Sequence, residues 1–130
     1  MTILTKEQIK RLHKQMITAT GGTDCLRDEG ALDSALNVAF QGFEGTEFYP
    51  TVASKIARLT YGIITNHPFV DGNKRVGTYV MLVLLELNHI KANFTDDDII
   101  RIGLEIASGK MDAMQLLSLI LERAAEELPS

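Results

Sequence analysis

Cysteine, proline and tryptophan are all scarce in this sequence of 130 residues. The single cysteine, Cys25, excludes an internal disulfide framework and a zinc site built from cysteines, and it is typical of a reducing compartment such as the cytoplasm. We expect its side chain to pack as a small hydrophobe. There is no tryptophan and there are only three prolines. Repeats, low-complexity tracts and linkers are missing as well, so nothing in the sequence divides the chain.

Long apolar runs and an excess of basic charge are also missing. No uninterrupted apolar stretch approaches the roughly 18 residues that a membrane span needs, and residues 1–14 are too polar for a signal peptide. The net charge is 13 − 17 = −4, so bulk charge does not favour nucleic-acid binding. We therefore expect a cytoplasmic protein without a membrane or a direct nucleic-acid partner.

The residues that are present predict one all-α domain over residues 1–130. Apolar residues make up 45% of the chain, which is enough to bury a core at this length. They recur at helical spacing in about six segments, several of which follow a capping residue. The three aspartates at 96–98 would suit either a metal site or the acidic start of a helix, and we expect the second. The predicted helices run from Thr5 to about Thr18, through Leu32 to about Phe40, from Thr51 to Asn66, from Asn73 to Asn88, from Thr95 to Gly109 and from Asp112 towards Glu127.

Residues 41–50 differ from the rest because they combine glycines with aromatic residues. The segment is predicted to be a loop or a small β-hairpin, and it carries Phe43, Phe48 and Tyr49. Aromatic side chains in a connection either fold back onto the core or stay exposed to dock a partner. Both alternatives stay open on the sequence alone.

The densest group of chemically active side chains lies at residues 67–75, HPFVDGNKR, between two predicted helices. Pro68 predicts that the first helix ends near His67, and Gly72 with Asn73 indicates a turn before the next helix. A helix N-terminus attracts anions, and Gly72 lets backbone approach a phosphate. Taken singly, each residue has an ordinary explanation as a cap or a solvated charge; the combination predicts a nucleotide-phosphate site.

Each residue type in this stretch fits one part of such a site. Lys74 and Arg75 supply full positive charges for a phosphate. Asp71 would repel a phosphate, but it suits Mg²⁺, which one or two carboxylates and substrate phosphates usually hold. His67 is the side chain that can accept a proton at neutral pH.

The stretch resembles the signature of the Fic/Doc family, and its lysine-containing form is similar to the death-on-curing (Doc) toxin branch. The resemblance extends upstream to residues 30–36 and 49–51. It implies a compact all-α bundle in which His67 is the catalytic base, Asp71 binds Mg²⁺, and residues 72–75 (Gly72, Asn73, Lys74 and Arg75) bind the phosphates of ATP. The segment that contains Phe43, Phe48 and Tyr49 corresponds to a flap that positions the target or an antitoxin.

Two departures from the common Fic motif bear on the reaction. Most Fic proteins transfer AMP, and they have glycine where this chain has Lys74 and a second arginine where it has Thr78. The resemblance to the Doc branch implies transfer of the γ-phosphate to a Ser/Thr hydroxyl of a translation factor such as elongation factor Tu, which inhibits translation. Gly72 stands where the archetypal Doc toxin has alanine, so AMP transfer remains an alternative. The second alternative is a binding module that has no catalytic activity.

The resemblance also implies how such a protein is controlled. Many Fic proteins carry an inhibitory helix marked by Ser/Thr, three residues, then Glu-Gly or Glu-Asn. Glu29-Gly30 has Cys25 at the upstream position and Glu44-Gly45 has Phe40, so neither pair fits. We therefore expect the inhibitor to be a separate antitoxin whose disordered tail folds on binding into an apolar groove. This groove should lie beside residues 67–75 and be edged by the segment from Phe43 to Tyr49.

Overall fold

The computed structural model describes residues 1–43 and 46–125. This part of the chain forms six α-helices and one short antiparallel hairpin, which confirms the all-α prediction. In the hairpin Gly42 pairs with Glu47, and Phe43 with Thr46. The elements in chain order are α1 (Lys6–Thr20), α2 (Glu29–Phe40), β1 (Gly42–Phe43), β2 (Thr46–Glu47), α3 (Val52–Asn66), α4 (Asn73–Leu87), α5 (Asp96–Ala107) and α6 (Ala113–Ala125).

Side-chain caps explain where most helices begin. Thr5, Thr51 and Thr95 each accept a hydrogen bond from the third helical N–H, and the side chain of that third residue bonds back to the N-cap. Asp98 closes the box of α5, so the acidic run at 96–98 belongs to a helix start as expected. α2 begins at Glu29, because Asp28 accepts from the N–H of Ala31.

Helix α3 lies at the centre of the core and packs against α2, α4, α5 and α6. Four of its aliphatic side chains are completely buried: Ile56, Leu59, Ile63 and Ile64. α4 approaches α3 closely at Gly77, where an added Cβ would lie 2.6 Å from Ile64 Cγ1. Residues 67–72 connect these two helices, so the predicted phosphate site is anchored at both ends in helices of the core.

Two predictions about burial are wrong. Apolar residues lie on nearly all faces of α4, a pattern that predicts a fully buried helix, yet Tyr79, Leu82 and Leu87 are 45%, 37% and 40% exposed. Cys25 is exposed and does not serve as a core residue. Within the described ranges, no helix is both long enough and apolar enough to cross a membrane.

Candidate active site

His67 ends α3 and exposes its side chain at the start of the connecting loop. Its backbone is left-handed, with φ 51° and ψ 57°, a conformation that costs a residue with a Cβ about 1–2 kcal/mol. Pro68 stops the helix here because the residue before a proline is disfavoured in the right-handed α region. The predicted end of the helix is confirmed, and the imidazole lies on the surface.

A hydrogen bond holds the His67 ring in one tautomer. Nδ1 lies 3.1 Å from the main-chain oxygen of Thr65. A carbonyl oxygen can only accept, so Nδ1 carries the hydrogen and donates it. Nε2 of the neutral ring therefore keeps its lone pair, and it has no hydrogen-bond partner among the described residues. This is the arrangement that a proton acceptor requires.

Arg27, which lies in the connection between α1 and α2, stabilises the same turn. Its Nε and Nη2 donate to the main-chain oxygens of His67 at 2.5 Å and of Asn66 at 2.8 Å. Carbonyls at the end of a helix have no intrahelical partner, and a cation there also favours the helix dipole. Main-chain hydrogen bonds between residues 25–28 and residues 68–70 also hold the two segments together.

The side chain of Asn73 fixes the shape of the loop. Its Oδ1 accepts from the N–H of Phe69 at 3.0 Å, and its Nδ2 donates to the oxygen of Phe69 at 2.9 Å. Asn73 and Phe69 are 8% and 3% exposed. The amide group is thus used within the protein, so any phosphate contact of Asn73 would be made by its backbone N–H.

Backbone N–H groups converge at the start of α4. The first intrahelical bond runs from the N–H of Val76 to the oxygen of Gly72, at 2.8 Å, which leaves the N–H groups of residues 73–75 without helical acceptors. Gly72 precedes them with φ 80° and ψ 18° and offers no side-chain cap. A left-handed residue followed by helical ones forms a concave nest of N–H donors that suits an anion.

Three charged side chains surround this nest. Lys74 is exposed. Arg75 donates through Nη1 to Thr20 Oγ1 at the end of α1, and its Nη2 lies 3.8 Å from Asp71 Oδ1, beyond hydrogen-bond distance. The Arg75 and Asp71 side chains are 41% and 47% exposed, so both can reach a ligand.

Comparison with known proteins assigns the chain to a family. The sequence profile of the Fic/DOC family matches residues 3–85, which include α1 to α3, the loop and most of α4. The chain belongs to the Fic/DOC family. It is also similar to Toxin Doc of Mycolicibacterium smegmatis, with 34% identity over 73 residues. The match spans 56% of this chain and 56% of that protein, so the chain covers little more than half of its relative.

The hairpin of this Fic/DOC chain lies where the sequence predicts a flap. Phe48 is 58% exposed, and Tyr49 is half-buried. The main-chain oxygen of Tyr49 accepts a hydrogen bond from Lys55 of α3, which ties the end of the flap to the core. The side chain of Phe43 lies outside the described part of the structure, and the docking role of all three aromatic residues stays a prediction.

An apolar groove between α4 and α5 borders the nest of N–H groups at the start of α4. Its volume is about 170 Å³. A larger cleft of about 500 Å³ lies at the opposite end of α4, around residues 85–94, away from the charged groups of the Fic/DOC motif. We regard the smaller groove as part of the site, because chemically active groups and not volume define a site. It is lined by Lys74, Arg75, Thr78, Ile99, Ile100, Gly103 and Leu104. Phe48 and Tyr49 are not among these residues, so the described aromatic side chains of the flap do not edge this groove as predicted.

Two residues of this Fic/DOC site are not predicted by the sequence analysis. Arg27 is one, and it gives no local signal. The other is His13, which lies on the buried face of α1 between Ile9 and Ile17 and contacts the main chain of Asp71. A histidine in the middle of an apolar helical face was the available signal, since such a polar group needs a buried partner.

Proposed function

We propose that this Fic/DOC protein transfers the γ-phosphate of ATP to a Ser or Thr hydroxyl of a translation factor, as the toxin of a toxin–antitoxin pair. The observation that carries the proposal is the tautomer of His67. Its Nδ1–H is bound to Thr65, which leaves Nε2 as a free acceptor a few residues before a nest of backbone donors. A base and an anion site fixed to one loop suit group transfer from a nucleotide.

The phosphate-binding role is supported by the charges and donors around α4. The N–H groups of residues 73–75, together with Lys74 and Arg75, would neutralise the oxygens of the transferred group. Arg75 is already oriented by Thr20, so less of its side-chain freedom is lost on binding.

The residues also fit Mg²⁺ bound together with a nucleotide. No group of three or more His, Cys, Asp or Glu side chains among the described residues is placed to hold a metal without a substrate. Asp71 offers one half-exposed carboxylate outside hydrogen-bond distance of Arg75. One carboxylate with substrate phosphates is the ligand set that Mg²⁺ commonly uses. Bound there, Mg²⁺ would neutralise developing charge on the phosphates.

The proposed step moves one proton and one phosphoryl group. His67 Nε2 takes the proton of the target hydroxyl as that oxygen forms a bond to the γ-phosphorus. The bond from the γ-phosphorus to the bridging oxygen of the β-phosphate breaks, and ADP leaves. His67 then releases its proton to solvent, which its exposed position permits.

Thr78 supports γ-phosphate transfer over AMP transfer. It stands where the common Fic motif has a second arginine, but it is only 5% exposed. Its hydroxyl lies 3.0 Å from the oxygen of Lys74 and 3.1 Å from that of Arg75, to which it donates. This position therefore supplies no second guanidinium, and Lys74 adds a charge that the common motif lacks. A different set of cations favours a different placement of the nucleotide.

The test uses ATP labelled at either the γ- or the α-phosphate, incubated with the protein and a translation extract. We expect protein-bound label only from γ-labelled ATP, and its loss in His67→Ala. His89→Ala is the matched control, because His89 is also exposed and left-handed, with φ 59°. Label from the α position would instead show AMP transfer. This alternative is kept because Gly72 is a feature that the chain shares with ordinary Fic proteins. No label from either would favour a non-catalytic binding module.

The toxin role is proposed from the family and from Toxin Doc of M. smegmatis, and it implies an antitoxin partner. The groove between α4 and α5 supports this, since Ile100 and Leu104 are 61% and 54% exposed beside the phosphate nest. An amphipathic helix formed from a disordered tail could bury them. Expression without the partner should arrest growth, and His67→Ala should relieve the arrest. Normal growth with abundant, folded wild-type protein would contradict the toxin role.

A further inference from the structure

His13 is completely buried in α1, yet it faces the loop of the candidate site. Its ring stacks on Phe69, with centroids 3.8 Å apart and an interplanar angle of 8°. A hydrocarbon side chain would fill this position without the cost of burying two ring nitrogens. The polar groups of His13 therefore need a reason to be there.

One ring nitrogen has a well-formed partner in the loop. Nε2 lies 2.7 Å from the main-chain oxygen of Asp71, and since that oxygen can only accept, Nε2 carries the hydrogen and donates it. Nδ1 is 3.4 Å from Asp24 Oδ1 and has no hydrogen bond. The well-formed bond is thus the one to the peptide group that joins Asp71 to Gly72.

Gly22, just after the end of α1, lies close to the side chain of the same aspartate. A Cβ added to Gly22 would lie 2.5 Å from Asp71 Oδ2. A side chain at this position would displace the carboxylate from where it lies, and the φ of 118° at Gly22 also favours glycine. His13 holds the main chain of Asp71, and Gly22 leaves room for its side chain.

We infer that His13 is a positioning residue, which orients Asp71 to bind a divalent cation that accompanies the nucleotide. This inference rests on the metal-binding part of the proposed function. Groups that hold a metal ligand in place typically change metal affinity on the order of 10–100-fold when they are removed. His13 does not contact the substrate; it acts through the Asp71–Gly72 peptide.

Two substitutions separate the hydrogen bond from the packing. His13→Phe keeps a flat ring against Phe69 but cannot donate to Asp71. His13→Gln loses the ring, but its amide nitrogen can reach the place of Nε2. Both proteins are first checked for folding by circular dichroism and by urea titration.

The readout is ATP affinity measured with and without Mn²⁺, which replaces Mg²⁺ as the probe. In the wild-type protein Mn²⁺ should raise the affinity for ATP. In His13→Phe we expect this increase to be smaller by on the order of 10–100-fold, while the affinity for metal-free ATP is kept. His13→Gln should recover most of the gain. In parallel, the Gly72 amide ¹⁵N resonance should move in His13→Phe and stay near its wild-type position in His13→Gln, because it senses the hydrogen bond to the preceding carbonyl.

An unchanged Mn²⁺ gain in His13→Phe would overturn the inference. Equal losses in both variants would also overturn it, since they would show that only the packing of the ring matters. A wild-type protein without any Mn²⁺ gain would do the same. Because binding is measured and not transfer, the result does not depend on whether the γ-phosphate, AMP or neither is transferred, so the two proposals can fail separately.

Discussion

Replacing Asn73 with alanine should destabilise the whole protein, although this residue lies in a motif associated with nucleotide binding. The substitution removes both hydrogen bonds to Phe69, whose main chain is buried. Each buried backbone group left without a partner costs about 1–3 kcal/mol. Two such groups give about 2–6 kcal/mol, and entry of water into the vacated space favours the lower half of that range. We expect a loss of about 2–4 kcal/mol, which is large for a domain that has about 5–15 kcal/mol in total.

The assay is urea unfolding followed by circular dichroism, with two comparison proteins. Asn93→Ala is the matched control, because Asn93 is exposed and its side chain has no described partner; it should change the free energy of unfolding by less than about 0.5 kcal/mol. Asn73→Asp keeps an acceptor for the Phe69 N–H but places a carboxylate oxygen against the Phe69 oxygen, so it should also be destabilised. If Asn73→Ala stayed within about 0.5 kcal/mol of wild type and only ATP affinity fell, our assignment of the amide to the loop would be refuted.

Three further substitutions test other parts of the structure. Lys74→Gly restores the common Fic glycine and removes a positive charge that is proposed to bind the phosphates. Label transfer from γ-labelled ATP should therefore be lost, and any residual transfer should come from α-labelled ATP. Unchanged transfer of the γ label would show that Lys74 does not determine the reaction. Gly77→Ala should lower the free energy of unfolding by up to about 2 kcal/mol, because the clash with Ile64 costs about 1–3 kcal/mol and the gain in helix propensity returns about 1; a stabilised variant would contradict the packing. The N–H of Thr95 holds the pKa of Asp98 below its usual 3.8. This carboxylate therefore stabilises the fold above that pH, and the stabilisation is lost as the pH falls through the lowered pKa. Asp98→Asn should be less stable than wild type at neutral pH, and the melting temperatures of the two proteins should converge as the pH falls below 3.8.

Local signals in the sequence predict the helices and the position of His67. Thr5, Thr51 and Thr95 mark helix starts because a cap acts within three residues of itself. Pro68 in the same way marks the end of α3 at His67. These features depend on near neighbours, which a single sequence contains.

Contacts between distant parts of the chain could not be predicted in this way. His13 and Asp71 are 58 residues apart, and Arg27 and His67 are 40 apart. Asn73 shows a different limit: its partner is only four residues away, but an asparagine after glycine is equally compatible with a turn, a cap or a ligand contact. The supporting residues of the site emerge only when the helices are packed.

The proposed reaction is tested most directly by the mass that the protein adds to its target. The wild-type protein would be incubated with ATP, Mg²⁺ and a complete translation extract, and modified peptides would be identified by mass spectrometry. We predict one phosphoryl group on a Ser or Thr of a translation factor, formed by wild type and by His89→Ala but not by His67→Ala. A peptide that carries AMP, or the absence of any modified peptide in the extract, would contradict γ-phosphate transfer.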